Sequence, residues 1–178
     1  MFLFDLLFGK KKSGPSSAAG NVAVAQSAPV VSAPGTQIHH DPHLIEALKQ
    51  DHRLLLEIFA AIDNARQHGD LIAVQTRLNQ FRIVIQDHLL KENVRLYVFL
   101  EHLLVDDPAS HELMHGFRHE MDGIGRAVVG FLTRYKEIGL HPELAAAFAT
   151  DLAAIGEALA ARIHREEQTL YPMYAPPA

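Results

Sequence analysis

"RIHREEQTLYPMY", residues Arg162 to Tyr174, decides how this chain is read, because "HLLKENVRLY", His88 to Tyr97, anticipates it. With His88 laid on Arg162, Glu92 falls on Glu166, Leu96 on Leu170 and Tyr97 on Tyr171. Each copy places a polar residue four positions before a glutamate, a spacing that stacks two side chains on one face of a helix. The leading histidine of the first copy can ligate a metal. The leading arginine of the second cannot, because guanidinium has donors and no lone pair to offer.

The flanking apolar residues recur at helical spacing on both sides of these stretches. Leu144, Phe148, Leu152, Ile155, Leu159, Ile163 and Leu170 trace a helix over 142–172 that opens at His141-Pro142 and stops at Pro172. Val74, Leu78, Phe81, Ile85, Leu96, Phe99 and Leu103 trace one over 71–105, opened by Gly69-Asp70. Two more follow from the same signals. Asp41-Pro42 starts a helix over 42–68 carrying Leu44, Leu48, Leu55, Phe59 and Ile62, and Asp107-Pro108 starts one over 108–138 carrying Phe117, Met121, Ile124, Val128, Phe131 and Tyr135. Connections this short force neighbours to run antiparallel, so the expected fold is all-α, an up-down-up-down four-helix bundle over 39–178.

Composition narrows the function classes. In 178 residues, 48% are hydrophobic and 21% charged, as in ordinary globular proteins, and the net charge of -5 gives no basic footprint for nucleic acid. The lack of cysteine excludes disulfides, thiolate metal sites and cysteine nucleophiles. No nucleophile–base pair, phosphate loop or cofactor fingerprint argues for an enzyme or identifies a small-molecule substrate. The 12 histidines raise the prior for metal chemistry.

Residues 1–12, "MFLFDLLFGKKK", are apolar around the helix and end in three lysines. They read as a docking peptide for a protein partner or as a weak membrane-surface anchor. Residues 13–38 read as a flexible, disordered linker with a reach on the order of 28 Å. Neither a membrane-spanning segment nor a signal peptide is expected, which points to the cytoplasm, with peripheral membrane contact left open.

Polar residues on the core-facing side of each helix are the informative ones. Glu92 sits at the centre of the second stripe with His88 one turn before it. Glu166 sits at the centre of the fourth with Arg162 one turn before, while Glu167 lies at the edge and His164 points outward. Asp51 and His52 flank the first stripe, and Glu120 lies beside Phe117 and Met121 on the third. His115 and His119 lie opposite the third stripe on a regular helix, and only a bulge near Gly116 or Gly123 would turn them inward. His111 has no partner in the pattern, and Tyr97 and Tyr171 read as aromatics at the wet edge of the bundle.

These residues together resemble the hemerythrin-like, or HHE cation-binding, family of bacterial type. The resemblance rests on His52 in "KQDHRLLLEIF", the pair His88/Glu92 in "DHLLKENVRLY", and Glu166, Glu167, Leu170 and Tyr171 in "EEQTLYPMY". It implies a non-haem di-iron centre with five histidines and two bridging carboxylates, serving oxygen binding, oxygen or redox sensing, or iron handling. It also implies that His52 and His88 are ligands, Glu92 one bridging carboxylate, and Glu166 or Glu167 the other. The set is incomplete, since Arg162 stands where the fourth helix should supply histidine. What remains suits one iron: His52, His88, Glu92 and Glu166, with Glu120 and Glu167 nearby. Two readings follow. One is an iron-binding domain for oxygen, redox or iron binding or sensing. The other is a metal-free regulatory bundle acting through protein–protein binding, with Arg162 replacing the metal's charge.

Overall fold

The computed structural model describes residues 32–176. The expected docking peptide 1–12 and most of the linker lie outside the described residues. Among the described residues, five α-helices form four antiparallel rods: α1 (Leu44–Gln67), α2 (Leu71–Lys91), α3 (Tyr97–Leu103), α4 (Pro108–Arg134) and α5 (Ala145–Arg165). A π-helical turn, Glu92–Leu96, joins α2 to α3 in one rod. A second, Glu166–Leu170, extends α5. The rods close a ring in which α1 packs on α2 and α5, and α4 packs on α3 and α5. This is the expected up-down-up-down bundle.

Local chemistry sets the corners. Gly69, at φ +72°, supplies the left-handed turn after α1, where Asp70 N–H reaches back to Ala65 O at 3.0 Å. Asp70 then caps α2 by accepting from Ala73 N–H, and Asp107 caps α4 by accepting from Ser110 N–H, with Pro108 at the first turn. The other two starts differ from expectation. Asp41 does not cap α1; its carboxylate accepts from His43 N–H in a turn, and α1 begins at Leu44. His141-Pro142 opens a short 3-10 turn before α5. The third rod also ends early, at Arg134. A 3-10 turn, Ile138–Leu140, follows it and packs on α2, where Gly139 N–H donates to Gln75.

The linker reading stops short of residue 38. Ser32 and His39 form an antiparallel bridge, Ala33 N–H donates to Ile38 O, and Ala33 is buried against the bundle end. The last residues assigned to the linker are therefore part of the folded domain. A second difference concerns α5. Within Pro142–Met173 an 18-residue window has a mean hydropathy of 1.5, apolar enough by length and composition to cross a membrane. Here its inner line, Phe148, Leu152, Ile155 and Leu159, forms one wall of the core.

That core has two parts. Leu55, Ile62, Phe81, Met121, Phe131 and Phe148 belong to one cluster. Leu44, Leu48, Phe99, Met114, Phe117 and Leu170 belong to the other. Between Leu48 and Leu55 on α1, and between Leu159 and Leu170 on the last rod, the interior turns polar. Among the described residues, the buried polar side chains are His52, His88, Glu92, Arg162 and Glu166.

Candidate metal centre

Burying five ionisable groups in one layer is costly unless each finds a partner. His52, from α1, is held at both ring nitrogens. Nδ1 lies 2.8 Å from Glu167 Oε1, and Nε2 lies 3.2 Å from Glu166 Oε2 and 3.1 Å from the Tyr171 hydroxyl. Each ring nitrogen thus faces a carboxylate, Nδ1 that of Glu167 and Nε2 that of Glu166, and a neutral imidazole carries a proton for only one of the two contacts.

His88 is less well held. Nδ1 lies 3.6 Å from Asp51 Oδ2 and Nε2 lies 3.8 Å from Glu92 Oε2, both beyond hydrogen-bond length. His88 Nδ1 and Glu92 Oε2 are buried without a hydrogen-bond partner. Burial lowers the His88 pKa, against the pull of Asp51, and so favours the neutral ring that a metal requires. Burial, reinforced by the neighbouring Glu166, raises Glu92 well above the usual carboxylate range. Glu166 goes the other way. Burial opposes its ionisation, but the hydrogen bond from His52 and the Arg162 cation outweigh it and lower its pKa.

Arg162 is only 3% exposed and saturated with acceptors. Nε donates to Glu166 Oε1, Nη1 to Phe117 O at 3.0 Å and Glu120 Oε2 at 3.1 Å, and Nη2 to the Tyr97 hydroxyl at 3.0 Å. The guanidinium also lies over the Phe117 ring, 5.0 Å from its centroid. A planar fork with donors in fixed directions can satisfy four acceptors at once; an ammonium could not.

The two echoing stretches interlock. In each, the α-helix gives way to a π-turn at the inward glutamate, with Tyr97 N–H bonded to Glu92 O and Tyr171 N–H to Glu166 O. The extra residue in the turn brings the tyrosine five positions after the glutamate back to the inner face. The side chains cross between the copies: the Tyr97 hydroxyl accepts from Arg162 of the second, and the Tyr171 hydroxyl donates to Glu92 Oε1 of the first. Both tyrosines are buried, at 1% and 2% exposure, which corrects their assignment to a wet edge. Regular helical geometry missed them because it carries no extra residue. The repeated Glu-x-x-x-Leu-Tyr was the available signal. Asp51, behind His88 and ion-paired to Lys91, is the other contributor the sequence only hinted at.

The remaining candidates fall outside the inner set. Glu167, at 29% exposure, touches the layer through His52. Glu120, at 39%, bridges Arg162 and Arg165 at the rim. α4 is regular through Gly116 and Gly123, so His115 and His119 stay on its outer side. The bulges lie in the second and fourth rods instead of the third.

His52, His88 and Glu166 each offer a donor atom within 4.8 Å of those of the other two. Two imidazoles and a carboxylate fit a cation, and the unpartnered Glu92 Oε2 lies 3.8 Å from one of those rings, at His88 Nε2. Beside them an apolar cavity of about 30 Å³, room for one or two molecules of water size, is walled by Phe59, Phe81, Ile85 and Met121.

Neither the curated proteins nor the solved structures compared give a match. The family model described as "Hemerythrin HHE cation binding domain" matches residues 43–174, the whole bundle with every inward polar residue just described. The chain belongs to the hemerythrin HHE cation-binding family.

Proposed function

We propose that the polar layer binds one iron ion through His52, His88 and Glu166, with Glu92 as a further donor, and that the domain serves oxygen, redox or iron binding or sensing. The observation that carries this is Glu92 Oε2, buried without a partner 3.8 Å from His88 Nε2. A layer built to be complete without a cation would pair that oxygen. Two histidines and a carboxylate with open positions form the donor set of non-haem iron(II) sites. A bound iron would supply one-electron redox chemistry. The chain's own residues set its surroundings: Glu167 orients His52, Arg162 orients Glu166, and Phe59, Phe81 and Met121 make the cavity side apolar. Arg162 limits the site to one ion, because its charge already balances Glu166 where a second would sit.

Arg162 also motivates the second reading, a metal-free regulatory bundle acting through protein binding. Anaerobic iron(II) reconstitution, desalting and metal analysis separate the two. The expected result is one iron per chain, lost in His52→Ala and His88→Ala and kept in His164→Ala, whose side chain is exposed. Two irons per chain would overturn the single-ion reading, and none would favour the metal-free bundle. Under either reading the domain works in the cytoplasm, and residues 1–12 pass its state to a protein partner or a membrane surface.

A further inference from the structure

A second cluster lies at the corner where α3 hands over to α4. Glu101 on α3 meets His111 and His115 from the first turns of α4. Its Oε1 is 3.1 Å from His111 Nε2 and 3.4 Å from His115 Nε2. The two rings stand edge to face with centroids 4.5 Å apart. The other oxygen, Glu101 Oε2, is buried and has no hydrogen-bond partner. Among the described residues, no lysine or arginine lies within ion-pair distance of this carboxylate.

Two Nε2 atoms converging on one carboxylate oxygen need a proton or a cation among them. Neutral rings with the proton on Nδ1 would leave lone pairs facing one another. A tetrahedral ion with bonds of 2.0–2.1 Å has donor–donor edges of about 3.3 Å. The contacts at 3.1 and 3.4 Å already have that length. Histidines four apart on one helix share a face, so the backbone fixes their convergence. The Asp107 cap and the bond from Asp107 N–H to Leu104 O hold the corner that brings Glu101 to them. The three side chains are 29%, 47% and 37% exposed, which leaves solvent to complete the coordination.

We infer that Glu101, His111 and His115 form a second, peripheral site for a divalent cation of the zinc class, separate from the polar layer. Two imidazoles, one carboxylate and a solvent position are a zinc donor set. The ion would clip the end of α3 to the start of α4. The inference does not depend on what the core binds.

The test is Zn(II) titration of the tag-free full chain in competition with a chelating dye. The His111→Ala/His115→Ala double variant is expected to bind one equivalent fewer than the wild type. Glu101→Gln should weaken that equivalent at least tenfold, and His119→Ala should leave it unchanged. All four positions lie at the surface, and circular dichroism checks that the helices persist. Equal stoichiometry in the wild type and the double variant, or equal loss in His119→Ala, would overturn the inference.

Discussion

Arg162 and Glu166 form a buried ion pair one helical turn apart, in the register where His88 and Glu92 stand 3.8 Å apart without a bond. The same repeat thus delivers a closed pair from one rod and an open pair from the other. The closed pair carries permanent charge, and the open pair leaves a donor and an acceptor unspent.

Removing the closed pair should be expensive. Arg162→Leu leaves Glu166 without its cation and strips donors from Phe117 O, Glu120 and Tyr97. Breaking a buried pair in this way costs about 3–5 kcal/mol. Urea unfolding followed by circular dichroism measures it. A loss below about 1 kcal/mol would show that the layer relaxes around the missing charge.

The crossed tyrosines should contribute as a pair. Tyr171→Phe deletes the donor to Glu92 Oε1 and a contact to His52, and Tyr97→Phe deletes an acceptor from Arg162. Each change is expected to cost about 1–3 kcal/mol. Because both hydroxyls belong to one network, the double variant should depart from additivity by at least about 0.5 kcal/mol. Strict additivity in a double-mutant cycle would mean that the two halves of the layer act independently.

Alkaline stability should report on Tyr135. Its hydroxyl donates to Asp151 Oδ2 at 2.7 Å. Burial and that carboxylate raise its pKa from 10.0 to about 12. A raised value means that the folded state holds the phenolic proton more tightly. The associated stability is therefore complete below pH 10 and is lost as pH climbs through about 12. Tyr135→Phe should be less stable than wild type at neutral pH and should flatten the decline over that window. Parallel decline of both proteins would count against this assignment.

Packing around Gly156 gives a purely steric prediction. A Cβ added there would lie 2.6 Å from Phe59 Cε1, where α5 approaches α1 beside the cavity. Gly156→Ala should destabilise by about 1–3 kcal/mol through overpacking. Phe59→Leu in the same chain should recover part of that loss. Stabilisation by the alanine alone would show that Phe59 moves aside at little cost.

The bundle was legible because helix starts, stops and periodic stripes are local signals. Asp70, Asp107 and Pro108 cap as read, and the inward places of His52, His88, Glu92, Arg162 and Glu166 follow from a constant rotation per residue. Asp41 failed because the hydroxyl of Tyr174 draws its backbone N–H aside, a contact between opposite ends of the fold. The boundary at residue 38 failed because Ala33 finds a home only on the finished bundle.

The sequence by itself determined the four rods and their antiparallel order, and it put His52, His88, Glu92, Arg162 and Glu166 on or beside the core-facing stripes together with Asp51 and Glu120, since each depends on residues a few positions apart. Only the tertiary structure decided which of those groups are paired. The π-turns bring Tyr97 and Tyr171 across to the opposite copy of the repeat, and the regular α4 sends His115 outward to meet Glu101. Such pairings depend on distances between rods. No spacing along a single chain encodes a distance set by how four helices pack.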